Sequence, residues 1–201
     1  EGDEYDSAFF AKVPKFTFYK PDTLIVTSVE FDHADIYSSL GEINSQFTSL
    51  VLGMSREGTA VCCLEEENIT ALVAKWQKSA SCRIVTYGFG AGADFQISSC
   101  VTEGACQSVE VRSVAGGKFS FRLAMGGRYN ALNATSVLAA GLSCGLESAA
   151  LIEGIESFHG VKRRQEVRFD RNGITLIEDF AHHPTAVRET ISGVREMYPG
   201  R

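Results

Sequence analysis

The chain has 201 residues, 44% hydrophobic and 22% charged, with only four prolines; it can bury a core, and a disordered or collagen-like chain is excluded. Its 19 basic and 25 acidic residues leave a net charge of −6. That balance excludes a general nucleic-acid binder, which needs a basic face, and leaves room for a local basic pocket around one phosphorylated ligand. No apolar run is long enough to span a bilayer, and the acidic start EGDEYD is the reverse of a signal peptide, so a cytoplasmic protein with no membrane partner is expected.

The six cysteines, at 62, 63, 82, 100, 106 and 144, are expected to be free thiols in a chain of this size without an export signal. None of their spacings is the C-x₂₋₄-C of a tetrahedral zinc site.

In chain order, TLIVTSVEF (23–31) is too continuously apolar for a half-exposed strand and is expected to be covered on both faces, as in an α/β sheet. Leu40, Ile43, Phe47 and Leu50 then recur at helical spacing. GTAVCCL (58–64) is a strand, Ile69, Leu72, Val73 and Trp76 share one helix face, and CRIVTYG (82–88) is the next strand, so parallel crossovers are the economical arrangement. From Ala93 to Leu123 the period drops to two, with Gly116-Gly117 turning a hairpin of a small antiparallel sheet. Asn130–Ala140 is a helix, and Leu151, Ile155 and Phe158 stripe another. The basic, turn-rich HGVKRRQEVRFDRNG suits a domain boundary better than an element interior. ITLIEDF beyond it is expected to be a buried strand, and Pro184 opens a helix striped by Val187, Ile191 and Val194.

Gly88-Phe89-Gly90-Ala91-Gly92 partly matches a dinucleotide fingerprint, but the DFQIS behind it alternates like a strand where a phosphate-binding helix would have to start, so a plain turn is expected. Gly117-Lys118-Phe119 lacks the Ser or Thr and the upstream Gly of a P-loop. EFDHADIY is more informative: Glu30, Asp32, His33 and Asp35 follow the C-terminal end of a strand, where open α/β sheets place ligands. A metal or phosphate site and a solvated, helix-capping turn are both open there. The acidic run Glu1, Asp3, Glu4, Asp6 is open to the same two readings. His182-His183-Pro184 can hold phosphate or cap a helix, and Arg163-Arg164 can clamp a phosphate or face water.

In this order, EGDEYDSAFF, LIVTSVEFDHADIY, TYGFGAGADF, NALNA, GVKRRQEVR and IEDFAHHPTAVRETI resemble successive landmarks of the Mur ligases, the ATP-dependent amide-forming enzymes of peptidoglycan synthesis. The resemblance implies an α/β fold, a mostly parallel sheet flanked by helices with a small antiparallel sheet. Residues 1–160 would be the central, ATP-binding domain without its P-loop, and 161–201 the start of a C-terminal α/β domain. It implies ATP and Mg²⁺ as cofactors: a carboxylate is phosphorylated and the acyl phosphate is attacked by an amine, the protein supplying position and charge neutralisation.

Tyr5, Phe9-Phe10, the segment KVPKFTFYKPDT and EFDHADIY are most similar to the recycling branch, whose partners are UDP-N-acetylmuramate and the murein tripeptide L-alanyl-γ-D-glutamyl-meso-diaminopimelate. The branch that adds L-alanine alone is the main alternative, and a catalytically silent binding or scaffold domain is the alternative from another class. The isolated 201 residues, without a P-loop, are expected to be inactive.

Residue by residue, the resemblance makes Glu1 and His33 the Mg²⁺ ligands, Asn130 and Asn133 the pair on adenine, and Asp179 the carboxylate on the ATP ribose. It places Arg164 on the ATP phosphates, with Arg163 a weaker candidate, and His182 facing the phosphates and incoming amine, so that Arg164 and His182 are the catalytic pair. There are two departures. Tyr129 stands where the family often has His, and GEINSQFTSL offers no lysine for the carbamylated group of some relatives.

Overall fold

The computed structural model describes residues 13–31, 36–104 and 106–200. Glu1 and His33, with the rest of the acidic start, Phe9-Phe10, Asp32 and Asp35, lie outside the described residues. The chain forms two compact units that divide between Ala93 and Asp94.

The first unit is a parallel α/β layer. Strands β1 (Thr23–Val26), β2 (Thr59–Cys63) and β3 (Arg83–Gly88) alternate with helices α1 (Leu40–Leu52) and α2 (Glu67–Ser79). Parallel register runs from Thr23 opposite Thr59 to Val26 opposite Cys62, and from Thr59 opposite Arg83 to Cys63 opposite Tyr87. β2 is buried along its whole length, as a central strand between helices must be. The predicted face of α2 is its buried face: Ile69, Leu72, Val73 and Trp76 are all in the core. Each such side chain contributes about 1.5–3 kcal/mol. Trp76 also donates its indole N–H to Thr48 Oγ1 of α1 at 3.1 Å, which satisfies the one polar atom its burial would strand.

β1 is shorter and less covered than 23–31 predicts. It ends at Val26, and Ile25 remains exposed. Among the described residues of this unit it pairs with β2 alone. The apolar run beyond it is irregular backbone, with Val29 buried and its carbonyl taken by Asn68 Nδ2 at 2.7 Å.

The second unit opens with an antiparallel meander, β4 (Phe95–Glu103), β5 (Cys106–Ser113) and β6 (Lys118–Leu123). The glycine-rich stretch before β4 is therefore a turn into a strand, as expected, with no helix N-terminus to receive a phosphate. On β5, Gln107, Val109 and Val111 alternate inward, opposite Leu123, Phe121 and Phe119 of β6. Gly116, at φ 90°, supplies the left-handed residue that the hairpin turn requires.

Helices α3 (Arg128–Ser143) and α4 (Ser148–Glu156) follow, and a Cβ on Gly141 would run into the Leu151 side chain, so α3 and α4 touch through that glycine. Phe158 lies past the end of α4 and is half exposed, so the predicted stripe ends at Ile155.

Three expectations for the last segment are corrected. The basic stretch contains a strand, β7 (Glu166–Arg171), which turns through Asn172 (φ 53°) and Gly173 (φ 77°) into β8 (Ile174–Glu178). Consecutive left-handed residues are what a two-residue hairpin demands, and RNG supplies them. β8 is not buried: Ile174 is 65% and Leu176 57% exposed, because among the described residues this two-stranded ribbon has no further layer over it. Helix α5 (Pro184–Met197) begins at Pro184 as expected, but Val187 and Ile191 point outward. Its buried side is Gly193 and Met197, the small face that lets α5 approach the start of α3.

Candidate nucleotide site

The second unit brings the first turn of α3 against the segment 163–182. Gly127, at φ 95°, is the N-cap residue of α3, and Asn130 sits in the first turn with 7% of its surface exposed. Its Nδ2 donates to the Gly126 carbonyl at 2.7 Å and to Gln165 Oε1 at 3.4 Å. Asn133, one turn on, is exposed. The two predicted adenine contacts are thus unequal, one held inside a hydrogen-bonded cluster and the other open to solvent.

Gln165 joins that cluster to Asp179. It is 9% exposed, takes the left-handed conformation at φ 50°, and donates its backbone N–H to Asp179 Oδ2 at 2.8 Å. Asp179 Oδ1 accepts from Ala181 N at 2.7 Å, so one carboxylate oxygen holds the β8–α5 connection and the other the residue before β7. Each oxygen keeps a further lone pair for an outside hydroxyl. A non-glycine residue at positive φ costs about 1–3 kcal/mol and persists only where its surroundings over-determine it. Arg163, at φ 60°, is the second such residue here, tied by its N–H to Glu166 Oε2 (2.9 Å) and by its carbonyl to Phe180 N (2.8 Å). The two left-handed residues flank Arg164.

Arg164 is exposed, with its guanidinium carbon 5.7 Å from the centre of the Phe180 ring. The His182 ring meets the same Phe180 edge-on at 5.1 Å, and its Nδ1 lies 2.9 Å from the Phe180 carbonyl. One aromatic ring therefore carries both predicted catalytic side chains. Arg163 pairs instead with Glu178 at 3.3 Å, which separates its role from that of Arg164. Tyr129, at the departure from the family pattern, has its phenol pushed above the ordinary range by burial, with the charge of Asp179 adding to the shift against hydrogen bonding from Thr190.

In the first unit, Glu30 stands beside Glu66, at the N-cap of α2. Burial pushes the Glu66 carboxyl up to about 7, and the charge and hydrogen bond of Glu30 add to the shift. Among the described residues no group of three His, Cys, Asp or Glu side chains could hold a metal ion, and none of the six cysteines is in a disulfide. No described helix is long and apolar enough to cross a membrane.

Of the predicted residues that are described, Asn130 and Asp179 are thus joined through Gln165, and Arg164 and His182 through Phe180. Gln165 and Phe180 were not foreseen. Neither has a periodic signal, and the only pointers in the sequence are their positions beside Arg164 and Asp179.

Comparison with known proteins gives the family. Residues 7–141 match the model of the Mur ligase middle domain. The chain is 32% identical over 185 residues to the UDP-N-acetylmuramate–L-alanine ligase of Clostridium tetani, covering 92% of this chain and 39% of that protein. It is 33% identical over 202 residues to that of Desulforamulus reducens, covering 100% and 41%. Among solved structures, a murein peptide ligase from Psychrobacter arcticus superposes with a TM-score of 0.72 at 29% identity, covering all of this chain and 40% of that one. The chain spans about two fifths of the length of these relatives. With its middle-domain match over most of its length, an α/β fold of the same kind and relatives that align along the whole of this chain, the chain belongs to the Mur ligase family.

Proposed function

We propose that this chain is the nucleotide-binding and domain-joining part of an ATP-dependent ligase that forms an amide on the carboxylate of UDP-N-acetylmuramate in the cytoplasm, serving peptidoglycan assembly. The observation that carries the reading is the Asn130–Gln165–Asp179 chain, in which one buried residue links an amide and a carboxylate; on this reading the amide contacts the base and the carboxylate the ribose. Residues 1–160 act as the central domain and 161–201 as the start of the C-terminal one.

ATP supplies the phosphoryl group that activates the carboxylate. Asn130 and Asn133 face the base, and Asp179 accepts from the ribose. Arg164, on its Phe180 shelf, offers donors to the phosphates and neutralises charge as the phosphoryl group moves. The amine then attacks the acyl carbon, phosphate leaves, and the nitrogen loses a proton. His182 stands on the same shelf beside the approach of that amine. Glu1 and His33 are the assigned Mg²⁺ ligands.

For the amine we propose the murein tripeptide, as in recycling. The end-to-end similarity to the Psychrobacter arcticus murein peptide ligase supports it, as does 31% identity to the corresponding ligase of Neisseria meningitides, at a TM-score of 0.68 over 81% of this chain and 48% of that one. L-Alanine is the second reading, favoured by the L-alanine ligases among the curated relatives. The complete ligase, given UDP-N-acetylmuramate, ATP and Mg²⁺, should release phosphate with tripeptide and far less with L-alanine. The reverse preference installs the second reading, and release with neither amine refutes both.

A further inference from the structure

Tyr129, in the first turn of α3, folds its ring back over the start of its own helix. A Cβ on Gly127 would stand 3.0 Å from Tyr129 Cε1, 3.3 Å from its Cδ1 and 3.4 Å from Gly193 Cα of α5. The tyrosine ring and the α5 backbone thus press on the same glycine. Thr190, Gly193 and Met197 are three and seven positions apart and share one face of α5. Gly193 and Met197 are the buried apolar part of that face, and a Cβ on Gly126 would run into the Met197 side chain. Thr190 is its polar part, and its side chain hydrogen-bonds the Tyr129 phenol. The side-chain amides of Asn130 and Gln165 hydrogen-bond the same phenol. A hydroxyl can donate once and accept twice, so one oxygen can join α3, α5 and the segment before β7. Burial and the nearby charge of Asp179 keep the phenol protonated, so it always has a proton to give. The other polar tie of α5 is at its far end, where Thr102 Oγ1 donates to the exposed Glu196 at 3.3 Å.

We propose that Tyr129 is a positioning residue whose hydroxyl fastens α5 to the start of α3 through Thr190, and so holds Asp179, Arg164 and His182 in register with Asn130 and Asn133. Two routes carry the effect. Thr190 lies on the helix that follows His182, and Gln165, on the same phenol, gives its backbone N–H to Asp179 Oδ2 at 2.8 Å. Tyr129 stands where the family often has histidine. An imidazole there would fill the space beside Gly127, but it is shorter than a phenol and carries no hydroxyl to Thr190. The inference rests on the nucleotide reading of the five residues that are positioned. Tyr129 touches no part of the nucleotide in this account and acts through α5 and Gln165.

The test uses the complete ligase with Tyr129→Phe, which keeps the ring on Gly127 and removes the hydroxyl, Thr190→Val, which keeps the shape of the threonine, and the two combined. Amide hydrogen exchange within 184–197 should quicken by about fivefold in each single variant, while 148–156 is unaffected. Because the two side chains share one bond, Thr190→Val should add nothing once Tyr129→Phe is in place. Unchanged exchange in α5, or a Thr190→Val effect of the same size in both backgrounds, overturns the fastening. Turnover then reads the positioning. Tyr129→Phe should raise KM for ATP by about tenfold and leave KM for UDP-N-acetylmuramate as it was, since the contacts assigned to base and ribose lie on either side of the fastened joint. A general loosening of the fold would move both constants, and that result overturns the positioning role. Asp179→Ala separates this inference from the reading beneath it. If it raises KM for ATP while Tyr129→Phe does not, only the positioning by Tyr129 fails; if neither variant does, the nucleotide reading fails and the positioning with it.

Discussion

Gly193 allows the packing of α5 on the start of α3 to be tested by adding one methyl group. A Cβ there would sit 3.0 Å from Gly127 Cα and 3.3 Å from Gly127 N, backbone atoms that cannot swing aside, and 2.9 Å from Gln165 Nε2. Gly154 in α4 is the matched control, because it is also inside a helix and a Cβ there would meet no heavy atom within 4 Å. Gly→Ala in a helix interior gains about 1 kcal/mol from lower chain entropy in the unfolded state. At Gly154 that gain stands alone. At Gly193 it is opposed by overpacking of about 1–3 kcal/mol, so the two substitutions should differ by about that amount. Amide hydrogen exchange in the complete protein reads each helix separately. Gly154→Ala should slow exchange within 148–156 by about fivefold, and Gly193→Ala should leave exchange within 184–197 unchanged or speed it. If Gly193→Ala slows exchange in α5 as much as Gly154→Ala does in α4, the two helices do not meet through Gly127 and Gly193, and the burial assigned to Gln165 fails with them.

Glu66 reverses the usual pH behaviour of a carboxylate. Its folded pKa of about 7 lies above the ordinary 4.5, so its contribution is fully present below about 4.5 and is lost as pH rises towards 7. Glu66→Gln, which needs no proton, should therefore gain in melting temperature relative to wild type across that window, and a difference that is flat with pH would refute the raised pKa. Arg164→Ala should change stability by less than about 1 kcal/mol, since its contact with Phe180 is exposed, yet raise KM for ATP or lower kcat; an unchanged kcat/KM for ATP counts against its role. Cys62, buried and pushed up to about 12, should resist iodoacetamide in the native protein at pH 8 while the exposed Cys144 is alkylated, and early labelling of Cys62 would show that β2 is not buried as described.

The fold was legible where burial follows a period. The stripe Ile69, Leu72, Val73, Trp76 and the unbroken apolar run of β2 each have one way to leave water, so pattern and structure coincide. Pattern misled where an apolar residue had no neighbour to pack against. Ile174 and Leu176 of β8 read as core and are exposed, because strand pairing alone does not cover a face. In α5, Val187 and Ile191 form the more apolar stripe, but the buried side is the one that carries Gly193. Hydrophobicity ranks faces by what they gain in leaving water, whereas here the limit is how closely two backbones approach, and glycine sets that limit while scoring as nothing in a periodicity count.

The site was legible for a different reason and to a different extent. Asn130, Asp179, Arg164 and His182 stood out through resemblance, since single asparagines, arginines and strand-end aspartates are ambiguous by their chemistry alone. What joins them left no such mark. Gln165 works through a backbone N–H, an amide oxygen and a left-handed φ, three properties that no residue-type pattern records. Its neighbours explain why that conformation can hold: the Arg163 carbonyl bonded to Phe180 N and the Gln165 N–H bonded to Asp179 stitch both flanks of Arg164 to the end of β8. Two residues at positive φ within three positions would be a local liability in an unattached loop. Tied to Phe180 and Asp179, they aim Arg164 over one ring and turn the amide of Gln165 toward Asn130, so the strain is held where the proposed nucleotide contacts would be aligned.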